Sequence, residues 1–100
     1  MNDPADVTGD SNEDLMRLRK EIERVDRALV ELIAERATLG RAVGSAKRRA
    51  AIAPLDPSRE AAVIRRVTEL ARDAGAPEED VRYIFWHLIG MSRRIQLGAD

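Results

Sequence analysis

Residues 11–50 read SNEDLMRLRKEIERVDRALVELIAERATLGRAVGSAKRRA, and this stretch determines the fold class. Its apolar residues recur every three or four positions, which is the spacing of one face of an α-helix. No proline occurs between Pro4 and Pro54, so nothing in the sequence breaks the pattern. We therefore predict a single helix from about residue 11 to about residue 50. Its apolar seam consists of Leu15, Leu18, Ile22, Val25, Leu29, Leu32, Leu39, Val43 and Ala46.

A helix of this length does not fit inside a small globular monomer. At about 1.5 Å per residue it would be roughly 58 Å long. A compact domain of this size has a radius of gyration of only about 13 Å. The apolar seam therefore needs a second chain to cover it, and a symmetric homodimer is the simplest solution.

Two shorter helices are predicted after the linker around Pro54. Asp56-Pro57 is a strong helix start, because an acidic cap precedes a proline at the first helical position. Gly75 ends that helix, and Pro77 opens the next one. The predicted inner faces are Val63, Ile64, Val67, Leu70 and Ala71 on the second helix, and Val81, Ile84, Phe85, Leu88, Ile89 and Ile95 on the third.

The predicted fold is thus all-α, with one very long helix and two medium helices in an intertwined homodimer. Residues 1–10 carry proline, glycine and acids without periodicity, and we expect a disordered tail there. Residues 11–100 are expected to form one domain. Since no apolar run suggests a signal peptide or a membrane span, the expected location is the cytoplasm.

Composition excludes several classes of function. The formal net charge is −1 with 35% charged residues, so no basic stripe marks a nucleic-acid or membrane surface. The sequence has no cysteine, which removes disulfides, thiolate metal sites and a cysteine nucleophile. It has one histidine, too few for a zinc site or a histidine-based triad. We expect no metal and no cofactor.

Two cations interrupt the apolar pattern of the first helix. Arg36 lies in the seam, and Lys47 follows eleven residues later, at about 20° of rotation and roughly 16 Å along the axis. Both project from one face with room for a small anion between them. The alternative is that Arg36 pairs with a buried carboxylate while Lys47 extends to water.

Other polar residues fall where they could join the same site. Arg19 lies about 42 Å from Lys47 along a straight helix, so it could reach the site only from a partner subunit. Otherwise it is a solvated arginine. Ser92 and Gln96 share the inner stripe of the third helix, as active groups or as satisfied core polar groups. Arg59 and Glu60, in the first turn of the second helix, serve the site or simply the helix surface.

Taken in order, these residues resemble the all-helical class of chorismate mutases, from Leu15 to Gln96. The segments that carry the resemblance are Leu18-Arg19-Lys20-Glu21-Ile22 with Asp26, Ala34-Glu35-Arg36, Val43-Gly44-Ser45-Ala46-Lys47, Asp56-Pro57-Ser58-Arg59-Glu60, and Ser92 with Gln96. They occur in the family's order and at similar spacings.

The resemblance implies a role for each residue. Arg19 from the partner subunit, with Arg36 and Arg59, would bind the two carboxylates of chorismate. Lys47 and Gln96 would donate hydrogen bonds to the ether oxygen of the breaking bond, and Glu60 would hold the ring hydroxyl. Asp56 and Ser92 would line the pocket in supporting positions.

The implied reaction suits this residue set. The conversion of chorismate to prephenate is an intramolecular [3,3] rearrangement, so it needs no nucleophile and no obligatory acid or base. The protein can hold the compact substrate conformer. It can also aim donors at the ether oxygen as negative charge develops there.

Several alternatives remain open at the level of sequence. On the same scaffold they are an isochorismate pyruvate-lyase and a 4-amino-4-deoxychorismate mutase, and Glu60 favours chorismate over isochorismate. A coiled-coil dimerisation module and a nucleic-acid binder using Lys47-Arg48-Arg49 are the readings outside this enzyme class. Some short family members also need a partner enzyme from the shikimate pathway.

Overall fold

A computed structural model describes residues 11–98, which form three α-helices. They are α1 (Ser11–Arg49), α2 (Pro57–Ala74) and α3 (Glu78–Gln96). The described residues contain no strand. The predicted all-α fold of one very long and two medium helices is therefore confirmed, and the predicted tail at residues 1–10 lies outside the described part of the chain. None of the helices described is both long and apolar enough to cross a membrane.

The ends of α2 follow from local sequence, as predicted. The Asp56 side chain accepts a hydrogen bond from the backbone N–H of Arg59 at 3.0 Å, and Pro57 occupies the first helical position. Gly75 ends the helix in the left-handed conformation at φ 72°, which glycine adopts without a Cβ clash.

The end of α1 has the same geometry without a glycine. Ala51 has φ 56°. The backbone N–H of Ile52 donates to the carbonyl of Lys47 at 2.8 Å, and that of Ala51 donates to the carbonyl of Arg48 at 3.2 Å. These two bonds form a Schellman motif, which stops the helix directly after its basic last turn.

The chain divides into two compact units, one up to Ala34 and one from Glu35 onward. In the first unit the described residues belong to α1, and its apolar seam is uncovered. The seam side chains there are 44–60% exposed, namely Leu15, Leu18, Ile22, Val25, Leu29 and Leu32. One chain by itself therefore leaves this apolar face without a partner.

The second unit contains a small core between α2 and α3. Val63, Val67 and Ile89 are buried at its centre. Ile64, Val81 and Phe85 pack around them. The predicted inner faces included two residues that are not buried, since Leu70 and Ile84 are each 56% exposed. Two helices in contact bury only the stripes that face each other, and these two side chains lie to the side of that stripe.

Close packing of α1 against α3 depends on Gly44, which is buried. A Cβ atom at this position would lie 3.1 Å from the Cα of Gln96 and 3.3 Å from its carbonyl oxygen. At Gly40, also buried, the same atom would meet Ile95 at an ordinary 3.6 Å. The close approach of the two helices thus requires glycine at Gly44 and not at Gly40.

Candidate active site

A cavity of about 410 Å³ opens in the second unit, between the C-terminal part of α1, the start of α2 and the end of α3. This volume is in the range of small-molecule sites. Seven of the eight site residues predicted from the sequence line it. They are Arg36, Lys47, Asp56, Arg59, Glu60, Ser92 and Gln96.

Arg36 is half-buried and is held from α3. Its Nη1 donates to the Ser92 hydroxyl at 2.6 Å and lies 3.5 Å from the Leu88 carbonyl oxygen. The guanidinium carbon lies 5.9 Å from the centre of the Phe85 ring. Burial lowers the pKa of Arg36, and the nearby charges of Arg66 and Arg59 lower it further. An arginine keeps its charge despite such effects, so Arg36 presents a partly desolvated cation that has no carboxylate among these partners.

Lys47 bridges the linker and α3. Its ammonium group donates to the Pro54 carbonyl at 2.8 Å and to the side-chain oxygen Oε1 of Gln96 at 2.8 Å. Because an ammonium group can only donate, Gln96 must turn its oxygen towards Lys47. The Gln96 NH₂ group is thereby left as a donor. Lys47 is thus fixed in the site and does not simply extend to water.

Glu60 forms an ion pair with Arg93 across the α2–α3 boundary. Arg93 Nε donates to Oε2 at 2.8 Å, and Arg93 Nη2 donates to Oε1 at 2.5 Å. The Glu60 side chain is 15% exposed. Hydrogen bonding from Arg93 is the main cause that lowers the pKa of Glu60, so this carboxyl group is ionised at neutral pH.

The sequence analysis missed Arg93 and Arg66, which both line the cavity. Arg66 follows Arg59 by two helical turns on one face of α2, a spacing that could have been noticed. Arg93 follows Ser92 but lies outside the predicted inner stripe of the third helix, and no sequence spacing links it to Glu60. With these two residues, five cationic side chains and two carboxylates surround the cavity, which leaves an excess of three positive charges.

Arg19 is the predicted site residue that the chain does not bring to the cavity. It lies on α1 in the first unit, is exposed, and is absent from the cavity lining. Asp56 lines the cavity, but one of its carboxylate oxygens accepts the hydrogen bond that caps α2. Within residues 11–98, no cluster of three or more His, Asp or Glu side chains is arranged to hold a metal ion.

Comparison with known proteins agrees with the resemblance seen in the sequence. Residues 18–97 match the family described as chorismate mutase type II. A chorismate mutase of Methanocaldococcus jannaschii is 32% identical over 84 residues, which cover 84% of this chain and 85% of that protein.

A second relative is a larger protein. The bifunctional chorismate mutase/prephenate dehydratase of Aquifex aeolicus is 31% identical over 80 residues, which cover 77% of this chain. The matched region spans only 22% of that relative's length. No solved structure gives a significant match. The family match covers most of the chain, and the chain therefore belongs to the chorismate mutase type II family.

Proposed function

We propose that this protein isomerises chorismate to prephenate in the biosynthesis of phenylalanine and tyrosine. The observation that carries the proposal is the pairing of Lys47 with Gln96 inside a cavity that has an excess of positive charge. A substrate with two carboxylates and a developing negative charge on an ether oxygen matches such a cavity in charge and in donors.

The two substrate carboxylates are bound by arginines in this proposal. Arg36 and Arg59 line the cavity, and a partner subunit supplies Arg19. A guanidinium group suits this task because it can offer two parallel hydrogen bonds to one carboxylate. Ser92 contributes by fixing Arg36 through the 2.6 Å hydrogen bond, and Asp56 contributes by starting α2 in front of Arg59.

In this proposal the reaction is accelerated by stabilising the negative charge that develops on the ether oxygen. Lys47 and the Gln96 NH₂ group donate to this oxygen as the carbon–oxygen bond breaks, and each such donor contributes on the order of 10²–10³ in rate. Glu60 accepts a hydrogen bond from the ring hydroxyl. Holding the chair-like conformer supplies the rest, since both reacting ends belong to one molecule. The chemistry requires no metal or cofactor.

The exposed seam of α1 supports a homodimer. Six of its apolar side chains are uncovered in the first unit, and Leu39 and Val43 are exposed in the second. A second copy of α1 offers the same seam, as an isologous interface requires. The dimer would also explain why Arg19, which the sequence resemblance assigns to the site, is absent from the cavity of one chain.

The proposal also covers the extent of the domain, its location and a partner enzyme. We infer that residues 11–100 act as one chorismate mutase domain in the cytoplasm. The fused prephenate dehydratase of the Aquifex relative supports cooperation with another enzyme of the pathway. A partner enzyme from the shikimate pathway is part of this proposal.

Glu60 favours chorismate over isochorismate but does not distinguish chorismate from its 4-amino analogue. An ionised carboxylate in the cavity suits the hydroxyl of chorismate, and it could also accept from the amine of 4-amino-4-deoxychorismate. Isochorismate pyruvate-lyase remains the other alternative. A coiled-coil module predicts that Arg36→Leu stabilises the dimer without loss of any activity, because the arginine would then serve only to set the register.

The deciding experiment follows the ultraviolet absorbance of chorismate and identifies the product by chromatography. We expect prephenate from the wild-type protein and essentially none from Arg36→Ala. Isochorismate and the amino analogue are offered to the same preparations. If chorismate is not converted, even with an added pathway enzyme, the proposed function is wrong; conversion of isochorismate or of the amino analogue instead would establish the corresponding alternative.

A further inference from the structure

The ion pair between Glu60 and Arg93 is bidentate and has shorter hydrogen bonds than the other bidentate pair that joins α2 to α3, Arg72 with Glu78 at 3.3 and 3.2 Å. Both guanidinium hydrogen bonds are present, at 2.8 and 2.5 Å, and they join α2 to α3 rather than two turns of one helix. By contrast, Arg24 and Glu21 form a local pair on an exposed face of α1. Exposed pairs of that kind contribute little to stability.

The carboxylate of this pair lies in the cavity wall. Glu60 is 15% exposed at its side chain, and Arg93, which also lines the cavity, is 46% exposed. A bidentate arginine uses one lone-pair direction on each carboxylate oxygen, which leaves the others available. Glu60 can therefore be held by Arg93 and still accept from a group inside the cavity.

We propose that Arg93 is a positioning residue that orients Glu60 as the acceptor for a substrate hydroxyl. This inference rests on the proposed function, because it concerns the group that recognises the ring hydroxyl of chorismate. The role assigned to Arg93 is therefore to act through Glu60.

Hydrogen bonding from Arg93 is the largest influence on the pKa of Glu60. The charged groups near Glu60 are Arg93 on α3, Lys47 on α1 and Asp56 before α2. Lys47 favours the ionised carboxylate but is engaged by Pro54 and Gln96. Asp56 opposes ionisation because it carries the same charge. Arg93 is thus the main group that stabilises the Glu60 carboxylate. Lys47 meanwhile keeps its hydrogen bond to Gln96.

The experiment compares Arg93→Gln, which removes the charge, with Arg93→Lys, which retains it without the bidentate geometry. Arg94→Gln is the matched control, because it removes the same charge from the next residue, which is exposed and does not line the cavity. Two quantities are measured for each variant. One is the Glu60 pKa, from carbon NMR of labelled glutamate assigned with Glu60→Gln. The other is the pH profile of kcat/KM with chorismate.

We expect Arg93→Gln to raise the Glu60 pKa and to move the acid limb of kcat/KM to higher pH. Arg93→Lys should shift both quantities less, and Arg94→Gln should match the wild type. Titration of the substrate's own carboxylates is common to all of these proteins and cancels in the comparison. A role limited to stability would lower activity at all pH values without moving the limb.

The outcomes separate this inference from the proposed function. If the wild type is active and Arg93→Gln leaves both the Glu60 pKa and the acid limb unchanged, the inference is overturned and the proposed function stands. If the wild type does not convert chorismate, the proposed function fails and the substrate role of the pair fails with it. Should Arg93→Gln not fold, an Arg93→Lys variant with the wild-type profile and wild-type KM would overturn the bidentate requirement.

Discussion

Lys47 and Gln96 share one hydrogen bond, in which the ammonium nitrogen donates to the amide oxygen at 2.8 Å. Its direction is fixed because lysine has no acceptor. The consequence is that two donor groups remain on these cavity-lining residues, the one N–H of Lys47 that neither Gln96 nor Pro54 accepts and the NH₂ group of Gln96. The pair is assembled from helices whose relevant residues are 49 positions apart in the sequence.

The first prediction concerns the pH dependence of Gln96→Glu. A carboxyl group beside Lys47 favours its ionised form and then cannot donate. We expect kcat/KM at pH 8 to fall by about 10²–10³, and to recover as the pH is lowered and the carboxyl group is protonated. The wild type should show nearly constant activity between pH about 6 and 8, since its donor is a neutral amide.

Gln96→Ala is the control for that prediction, because it removes the donor at every pH. Its loss of kcat/KM should stay constant as the pH is lowered into the range where Gln96→Glu recovers. Equal activity of the wild type and Gln96→Glu at pH 8 would show that Gln96 is not a donor in the reaction.

The second prediction compares alanine at two glycines of α1. At Gly44 the added methyl group would lie 3.1 Å from the Cα of Gln96, so α3 must move and displace the Gln96 side chain. We expect a loss of about 1–3 kcal/mol in unfolding free energy, as in other overpacked cores, together with a fall in kcat. Thermal denaturation and steady-state kinetics measure the two effects.

Gly40→Ala is the matched variant, with 3.6 Å to the nearest side-chain atom. It should be neutral or stabilising by up to about 1 kcal/mol, because alanine favours the helix interior. If both substitutions change the unfolding free energy and kcat equally, the close approach of Gly44 to Gln96 is not the cause of the effect.

The third prediction concerns the end of α1. Ala51 has φ 56°, a conformation that costs an L-residue about 1–2 kcal/mol and glycine almost nothing. Allowing for the greater freedom of glycine in the unfolded chain, Ala51→Gly should raise the unfolding free energy by about 0.5–1 kcal/mol. The comparison uses the unfolding midpoint in urea at one protein concentration.

Ala50→Gly tests whether that gain depends on φ. Ala50 lacks a positive φ and donates its N–H to Ala46 at 3.0 Å, so glycine there should destabilise by about 0.5–1 kcal/mol. Stabilisation by both substitutions would mean that the left-handed conformation of Ala51 is not the cause.

The fourth prediction tests whether Arg19 crosses the subunit interface. Arg19→Ala and Lys47→Ala should each be nearly inactive alone. After the two variants are mixed and allowed to exchange subunits, half of the dimers are mixed and one of the two sites in each is intact. Activity should therefore recover to about a quarter of the wild-type value. No recovery after verified exchange would place Arg19 and Lys47 in the same chain's site, or Arg19 outside the site.

Much of the fold could be predicted from the sequence because its signals are local. The apolar period and the absence of proline in residues 11–50 predict α1, and Asp56-Pro57 and Gly75 predict the limits of α2. Each of these signals acts within a few residues, through backbone conformation or a single capping bond. The inner faces were predicted less well, as Leu70 and Ile84 show, because burial depends on the neighbouring helix.

Part of the candidate site could also be predicted, since polar residues that interrupt an apolar stripe mark a cavity wall. Arg36, Lys47, Ser92 and Gln96 were found in this way before the resemblance assigned them roles. What the sequence could not indicate was which polar groups bond to one another. Lys47 to Pro54, Arg36 to Ser92 and Glu60 to Arg93 are contacts between elements distant in the chain or across a turn.

The sequence by itself thus determined three helices, their limits, an uncovered apolar seam and a set of inward-facing cations. Only the tertiary structure decided that Arg93 holds Glu60, that Gln96 turns its oxygen towards Lys47, and that Gly44 sets the distance between α1 and α3. The physical reason is the distance along the chain over which each interaction acts. Helix formation is governed by groups within about four residues, whereas hydrogen bonds between helices depend on packing distances of a few tenths of an ångström.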